Sequence, residues 1–272
     1  MGENEAISST EGLPVTVSSL MGDLRALGVE AGSALIVHSS LKSLGWVCGG
    51  PVAVIQALER ALGPGGTLVM PTHSGDLSDP AQWRNPPVPE PWWEIIRQTM
   101  PAYDPDLTPT RQMGAIPETF RKQRGVLRSA HPQVSFAAWG SHAQYVTEKH
   151  AIEVDLGEGS PLARVYELGG HVLLLGVGHG NNTSLHLSEY RADYKGKRQS
   201  RNGAPMMVSG RREWVWCEYL SINDDDFAVI GESFARETGL QRTGRVGNAT
   251  ALLFPQRAIV DYGVQWMERY RR

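Results

Sequence analysis

The chain has 272 residues, of which 41% are hydrophobic and 20% are charged, and its net charge at pH 7 is −3. This composition excludes a disordered chain, a collagen-like repeat and a disulfide scaffold, since the only cysteines are Cys48 and Cys217. The small net charge gives no reason to expect nucleic acid as a partner. Because the sequence has neither an apolar signal region nor an apolar run of membrane-spanning length, we expect a soluble cytoplasmic protein without membrane contact.

The length allows one large domain or two small ones. Residues 1–15 carry several glutamates and no apolar periodicity, so they are predicted to form a flexible leader. No linker, repeat or low-complexity segment divides residues 16–272, which are therefore predicted to form a single domain.

The first part of the chain alternates between helices and short apolar strands. Helical spacing predicts a helix over residues 17–27 and another over Pro51–Leu62. Ala34–Val37 and Thr67–Met70 are continuous apolar runs, which are typical of buried parallel strands.

The stretch from Pro71 to Pro117 interrupts this alternation, because it is rich in proline and tryptophan. A connection this long is typical of a lid or binding loop, although a surface excursion packed by its own aromatic rings is the alternative. The later predicted elements are strands at 134–139 and 171–177, helices at 161–168, 183–192, 224–238 and 256–270, and an antiparallel hairpin of 205–208 with 213–219. The predicted fold class is α/β, a three-layer sandwich whose mixed, largely parallel sheet carries helices on both faces, with the excursion and the hairpin added.

His186 and Glu189 form the first candidate site. They lie one turn apart on the predicted helix 183–192, which follows a buried strand and a glycine-rich turn. Ligands of open α/β sheets bind at such strand ends. A carboxylate that orients a neutral imidazole provides what a general base requires. A structural His–Glu pair is the alternative.

The loop from Ser39 to Gly50 is the second candidate site. Its hydroxyl groups, Lys42 and the glycines before a helix predict an anion site. The loop is not a P-loop, and residues 176–181 lack the third glycine of the dinucleotide fingerprint. A tight glycine turn whose serines bond the backbone is the alternative.

Charged residues are segregated along the chain. Arg128, Ser129 and Ser135 follow a basic stretch and suit a phosphate group, although a solvated basic face would look the same. Acids outnumber bases between residues 76 and 106 and lie among tryptophans, a pattern that suits an organic polycation. Solvated loop acids are the alternative.

Other catalytic types have less support. The sequence contains no Gly-x-Ser-x-Gly motif and no His-Glu-x-x-His or paired-cysteine motif. A metal hydrolase built on His73, Asp76, His179 or His186 lacks supporting spacing, so no metal is predicted. Cys48 stays open either as an acyl-carrying nucleophile or as a small buried hydrophobe.

Together these segments resemble aminoglycoside 3-N-acetyltransferases, which do not carry the signatures of the GNAT fold. The resemblance covers roughly residues 17 to 270 and is carried by Val37-His-Ser-Ser-Leu, Gly49-Gly, Gly66-Thr-Leu-Val-Met-Pro-Thr-His, Thr108-Pro-Thr, Met113-Gly-Ala, Arg128-Ser-Ala-His-Pro, Ser135-Phe-Ala-Ala, Ser160-Pro-Leu and Asn182-Thr-Ser-Leu-His-Leu-Ser-Glu.

The resemblance implies acetyl transfer from acetyl-CoA to the 3-amino group of the 2-deoxystreptamine ring of aminoglycoside antibiotics, with antibiotic resistance as the result. We expect direct transfer in a ternary complex, with His186 as general base, Glu189 orienting it, and Thr72 or backbone N–H groups near Ser39 and Ser40 stabilising the oxyanion. The expected acetyl-CoA contacts are His38, Ser39, Ser40, Lys42, Ser43, Val47, Cys48, Gly49, Gly50, Arg128, Ser129, Ser135 and Phe136. The expected antibiotic contacts are His73, Asp76, Trp93, Tyr103, Asp104, Glu189 and Asp193.

Residues 190–219 match no motif of that family, which leaves the accepted aminoglycosides open. An acetyl-CoA-dependent N-acetyltransferase of another amine metabolite is the near alternative. A non-catalytic polycation-binding protein would explain the acidic segments but not the anion loop. Either a monomer or a homodimer is expected.

Overall fold

The computed structural model describes residues 3–10 and 12–271. The helices are α1 (Glu3–Ser9), α2 (Val17–Leu27), α3 (Gly50–Leu62), α4 (Trp93–Thr99), α5 (Ala115–Phe120), α6 (Ala143–Thr147), α7 (Pro161–Glu167), α8 (Ser184–Arg191), α9 (Phe227–Thr238) and α10 (Gln256–Tyr270). The strands are β1 (Ala34–Ser39), β2 (Thr67–Pro71), β3 (Leu127–Arg128), β4 (Phe136–Gly140), β5 (His171–Leu175), β6 (Gln199–Val208), β7 (Arg211–Leu220), β8 (Arg242–Val246) and β9 (Ala249–Pro255).

Seven strands form one mixed sheet in the order β3-β4-β2-β1-β5-β9-β8. The central strand β1 is parallel to β2 and to β5, whereas β3, β4, β8 and β9 pair in the antiparallel sense. Strands β6 and β7 form a separate two-stranded hairpin. The predicted α/β sandwich with a parallel core and an added hairpin is confirmed.

Side chains of β1 alternate between two hydrophobic cores, one on each face of the sheet. Leu35 and Val37 belong to the core that α2 and α3 cover, and Ile36 belongs to the core beneath α7 to α10. A strand covered on both faces needs apolar residues in both directions. This is why the run Ala34–Val37 has no polar residue and why three layers form.

The parallel arrangement brings several loops to one edge of the sheet. The carboxyl ends of β1, β2 and β5 meet there, so residues 39–49, 72–76 and 176–183 are neighbours. Because β4 and β9 run antiparallel to their neighbours, each begins at that same edge. The predicted site loops are therefore gathered by topology, although they lie far apart in sequence.

Several elements differ from the prediction. The excursion contains two short helices, α4 and α5, and the hairpin strands extend over ten residues each. Strands β8 and β9 were not predicted. Arg242–Val246 is polar and lies at the exposed edge of the sheet, whereas β9 is largely apolar and pairs with β5 inside the sheet, so its sequence carried a signal that was missed.

Residues before α2 contact the loop that follows β1. The Trp46 N–H donates to Thr10 Oγ1 (2.7 Å), the Val15 N–H to Trp46 O (3.1 Å), and the Cys48 N–H to Val15 O (2.8 Å). Val15 is buried in the core next to Val47. The domain boundary at residue 16 stays a prediction, but Thr10 and Val15 pack on the domain.

None of the helices formed by residues 3–10 and 12–271 combines the length and the apolar character needed to cross a membrane.

Gly140 fixes the end of β4 against β2. Its φ is +103°, and a Cβ there would lie 2.1 Å from the Gly66 carbonyl oxygen. We expect Gly140→Ala to lower the free energy of unfolding by more than ~2 kcal/mol, because backbone atoms must move. The control Gly210→Ala, at a φ of +78° with nothing within 4 Å, costs only about 1 kcal/mol. Equal losses in urea unfolding would contradict this reading.

Candidate active site

A cavity of about 290 Å³ opens at the carboxyl edge of β1, β2 and β5. Its walls come from the ends of these strands, from the turn before α8, and from the segment between β7 and α9. The lining residues are His38, Ser39, Pro71, His73, Gln112, Met113, Pro117, Val134, Leu156, Val177, Gly180, Asn181, Asn182, Thr183, His186, Ile222, Asp224 and Phe227. The cavity therefore draws on both candidate segments, the β1 end and the first turn of α8.

The predicted pair of His186 and Glu189 is formed. His186 Nδ1 lies 2.5 Å from Glu189 Oε2, as expected for side chains one helical turn apart. The His186 ring packs at 4.8 Å from the ring of Phe227. His186 lines the cavity with its side chain 11% exposed, whereas Glu189 is fully buried.

Glu189 has further partners on its second oxygen. Oε1 accepts the N–H of Asn223 (2.8 Å) and a guanidinium N–H of Arg271 (2.5 Å). Arg271 also binds the carboxylate of Asp226 through two of its nitrogens (2.8 and 2.6 Å). A buried carboxylate is stable only when it is paired and hydrogen-bonded, and these contacts meet that condition.

These bonds assign the two ring nitrogens of His186. Nδ1 faces the carboxylate, so the neutral ring carries its proton there and leaves Nε2 as an acceptor. Within the part of the chain that the structure describes, Nε2 has no hydrogen-bond partner. The nitrogen with the free lone pair is thus the one available to a ligand in the cavity.

Two more histidines in the cavity wall are neutral at pH 7. Burial, and then the nearby His186, lower the pKa of His38 to about 3. Burial, and then His186 and His38, lower the pKa of His73 to about 3. Neither ring adds a positive charge that would repel a cationic ligand at neutral pH.

Three buried polar atoms of cavity-lining residues lack hydrogen-bond partners within residues 3–10 and 12–271. They are Ser39 Oγ, His73 Nε2 and Asn182 Nδ2. Buried polar groups are nearly always paired with protein, water or a ligand. Their grouping at one cavity fits a site that receives a polar molecule.

Of the predicted anion loop, residues 39–50, only Ser39 is among the residues that line the main cavity. Ser40 and Ser43 bond each other (3.0 Å), and Ser43 Oγ lies 3.0 Å from Gly176 O, so they join this loop to the end of β5. The side chain of Val47 is buried in the core. Lys42, Cys48 and Gly49 are exposed, and Gly49 and Gly50 have φ values of +89° and +56° at the start of α3.

Arg128 and its neighbours lie behind the cavity. Arg128 donates to Thr72 O (2.7 Å) and Ser135 Oγ (3.0 Å), and Ser129 Oγ bonds His150 Nδ1 (2.9 Å). Ser129, Ser135 and Phe136 are fully buried. These contacts indicate a supporting role for the three side chains, and their direct contact with acetyl-CoA stays a prediction.

Thr72 and the Ser40 N–H are less suited to hold an oxyanion than the sequence indicated. Thr72 is fully buried, with Oγ1 3.3 Å from Ser135 Oγ. The Ser40 N–H donates to Leu175 O (2.9 Å). Both donors are occupied within the protein, whereas Ser39 Oγ is unpartnered.

Of the predicted antibiotic contacts, His73 lines the cavity and Glu189 lies behind His186. Asp76 lines a second cavity of about 340 Å³. The other four predicted contacts line neither cavity: Trp93 donates to Val88 O, Tyr103 is buried with its hydroxyl on Ser129 O, Asp104 caps the turn that follows it, and Asp193 is exposed beyond α8.

Some cavity residues were missed from the sequence. Ile222 and Asp224 lie in the segment between β7 and α9, and Asn182 lies in the turn before α8. The run Asp224-Asp-Asp before a helix was a visible signal of an acidic segment. The fold brings this segment to the same cavity as His186, and the spacing of the residues in the sequence gives no signal of that proximity.

Among residues 3–10 and 12–271, no group of three or more His, Cys, Asp or Glu side chains is arranged to hold a metal ion. Of the four residues considered above for such a site, His73 and His186 line the main cavity, whereas His179 and Asp76 have other partners. His179 Nε2 bonds Gln241 (2.8 Å), and Asp76 lies 4.0 Å from Arg111.

The buried histidines predict acid sensitivity of the fold. The pKa values of His38 and His73 are about 3, and that of His150 is about 4, because burial opposes protonation. Below pH 6.5 the unfolded chain binds protons at these positions and the folded chain does not. The free energy of unfolding therefore decreases as the pH is lowered. We expect a loss of ~4 kcal/mol for the three between pH 7.5 and 5.5 in urea unfolding. An unchanged free energy of unfolding would contradict their burial as neutral groups.

Comparisons with known proteins identify the family. The family model of aminoglycoside 3-N-acetyltransferase matches residues 36–268. YokD of Bacillus subtilis (strain 168), an SPbeta prophage-derived aminoglycoside N(3')-acetyltransferase-like protein, is 46% identical over 93% of this chain and 92% of its own. Aminoglycoside N(3)-acetyltransferase VIII of Streptomyces fradiae is 39% identical over 98% of this chain and 96% of its own.

Solved structures give the same result. The crystal structure of YokD aligns with a TM-score of 0.95 at 44% identity, over 98% of both chains. AAC-IIIb in a binary complex with CoASH aligns at 0.84, with 34% identity over 94% of this chain and 97% of that chain. AAC-VIa bound to sisomicin aligns at 0.86, with 31% identity over 95% and 99%. The chain therefore belongs to the aminoglycoside 3-N-acetyltransferase family, a family of acyltransferases.

Proposed function

We propose that this protein acetylates the 3-amino group of the 2-deoxystreptamine ring of aminoglycosides, using acetyl-CoA, and that His186 is the general base. The observation that carries this proposal is the orientation of His186, with Nδ1 on the buried Glu189 and Nε2 free at the cavity. The family supports the reaction class, and relatives solved with CoASH and with sisomicin support the two substrates.

The reaction requires a base because the attacking group is an ammonium ion in solution. An amine with a lysine-like pKa of ~10.4 is uncharged in about one molecule in 2,500 at pH 7, which costs roughly 4.6 kcal/mol. Ring amines are less basic, so this is an upper limit. A positioned base that takes the proton contributes about 10²–10⁴-fold in rate.

His186 and Glu189 meet this requirement as a pair. His186 Nε2 accepts the amine proton, and the positive charge that forms on the ring is stabilised by the carboxylate 2.5 Å from Nδ1. His38 and His73 are neutral, so they do not oppose that charge.

The acetyl group passes directly to the amine. A nitrogen–carbon bond forms as the amine lone pair attacks the thioester carbonyl, and the carbon–sulfur bond then breaks. The nitrogen starts as an ammonium ion and ends as an amide N–H, so it loses two protons. One passes through His186 to the CoA thiolate, which leaves with the electron pair, and the other passes to solvent. Of the polar groups in the cavity wall, Ser39 Oγ and Asn182 Nδ2 have unused donors for the intermediate oxyanion.

The two substrates approach from different sides of the cavity. Asp224, at the wall formed between β7 and α9, suits a polycationic sugar. The loop 39–50 enters the thirteen-residue helix α3 through two glycines, and backbone N–H groups at such a helix start favour phosphate. We place the pantetheine and pyrophosphate of acetyl-CoA along this loop.

The proposal includes the biological setting. Acetylation removes a positive charge from the antibiotic, and resistance is the proposed consequence. A cytoplasmic location fits Cys48 and Cys217, both of which are free thiols. A monomer or a homodimer remains the prediction for the oligomeric state.

A thiol-release assay with acetyl-CoA and a panel of aminoglycosides tests the function. We expect release of CoA thiol with wild-type protein and a product acetylated at the 3-amino group by NMR. His186→Ala lowers kcat by about 10²–10⁴-fold, because the amine proton has no acceptor, while both substrates still bind by calorimetry. Normal turnover by this variant would exclude His186 as the base. Thiol release with other amines but with no aminoglycoside would favour an N-acetyltransferase of another metabolite.

Cys48 tests direct transfer against an acyl-enzyme. The Cys48 thiol is exposed at the end of the loop and does not line the main cavity. We expect Cys48→Ala to retain kcat at saturating acetyl-CoA, because the thiol takes no acetyl group. Loss of turnover, together with an acetylated Cys48 in wild-type protein by mass spectrometry, would establish the covalent route instead.

A further inference from the structure

Arg271 follows the last residue of α10 and reaches back into the core of the site. Its side chain is only 12% exposed. It donates to Glu189 Oε1 (2.5 Å), to both carboxylate oxygens of Asp226 (2.8 and 2.6 Å) and to Asn223 O (2.7 Å). The guanidinium also lies over the ring of Tyr194 at 5.1 Å. The side chain of Arg271 makes all these contacts, although it lies far from α8 in the sequence.

These contacts join two walls of the cavity. On one side Arg271 binds Glu189, which holds the ring of His186. On the other side it binds Asp226 and Asn223, in the segment that supplies Asp224 to the cavity wall. The Asn223 N–H closes the network by donating to Glu189 Oε1.

Both the positive charge and the planar shape of the Arg271 side chain stabilise the buried carboxylate of Glu189. Glu189 is fully buried, and a buried carboxylate that loses its cationic partner is left as an uncompensated buried charge. Burial opposes the charge of Arg271, but its hydrogen bonds to Asp226 and Glu189 outweigh this and raise its pKa above the usual range. The planar guanidinium donates to both carboxylates in fixed directions, whereas an ammonium group lacks this rigid geometry.

We propose that Arg271 is a positioning residue of the acetyl transfer, which fixes the carboxylate of Glu189 behind His186 and ties the 222–226 segment to that pair. The proposal rests on the proposed roles of His186 and Glu189. Arg271 is not among the residues that line the main cavity, and it acts through the carboxylate of Glu189. It thereby sets the distance between the base and the acidic wall that faces the antibiotic.

Other charged or titratable groups face the pair from the elements packed around it. They are His38 on β1, His73 after β2, Asp155 before α7, Tyr190 on α8, Tyr194 and Lys197 after α8, and Asp226 before α9. None of them contacts Glu189 as a cation, since His38 and His73 are neutral at pH 7 and Lys197 donates to Tyr190 O and Ala192 O.

The test measures kcat and the pH profile of kcat/KM for Arg271→Met. Arg271→Met removes a positive charge from beside the base, and the loss of a positive charge makes it easier for neighbouring groups to bind a proton. We expect the acid limb of the kcat/KM profile, the part in which activity falls as the pH is lowered, to move to higher pH by about one unit. We also expect kcat to fall about tenfold to a hundredfold, because the ring is held less firmly.

Two further variants distinguish the effect of the positive charge at position 271 from the effect of the guanidinium geometry. Arg271→Lys keeps the charge but not the fork, so the acid limb stays near its wild-type pH while kcat falls. Arg269→Met, at an exposed position of the same helix end, is the matched control and leaves both readouts unchanged. If Arg271→Met does not fold, as judged by thermal melting, Arg271→Gln carries the same two readouts.

The outcomes distinguish this inference from the proposed function. If His186→Ala is inactive and Arg271→Met shows wild-type kcat and a wild-type acid limb, the inference is wrong and the base assignment stands. If His186→Ala retains full turnover, the proposed mechanism fails first. A shifted limb in Arg271→Met that is absent in Arg271→Lys supports the positioning role.

Discussion

The carboxylate of Glu189 is the constraint on which the site depends. It is fully buried, and its two oxygens accept from His186, Asn223 and Arg271. A buried negative charge is costly unless every lone pair is used, so the partners of Glu189 are fixed in position. The orientation of His186 is one consequence. The docking of the 222–226 segment and of the end of α10 is another.

The sheet topology explains why this charge lies behind the cavity. The three parallel strands β1, β2 and β5 end at one edge, and the loop 176–183 leads from β5 to α8. His186 therefore lies in the first turn of a helix that starts at the cavity. The β1 end contributes His38 and Ser39, and the loop beyond leads to the start of α3. The base and the proposed acetyl-CoA site are thus neighbours by strand order.

Local spacing predicted the parts of this site that are local in sequence. The interval from His186 to Glu189 predicted the contact, and the apolar runs at β1, β2 and β5 predicted the parallel core. Contacts between distant segments had no such signal. Arg271 looked like a charged residue at a helix end, and Ser129 and Ser135 looked like phosphate ligands although they are buried. Strand β8 was missed because a polar edge strand resembles a loop.

The protonation state of His186 in the resting protein tests the central claim most directly. Nitrogen-15 NMR of histidine-labelled protein at pH 7.5, assigned with His186→Gln, reports which ring nitrogen carries the proton. The buried carboxylate beside Nδ1 predicts that the neutral ring is the tautomer with its proton on Nδ1, which leaves the lone pair of Nε2 toward the cavity. A ring protonated at Nε2 in the resting protein would contradict the account.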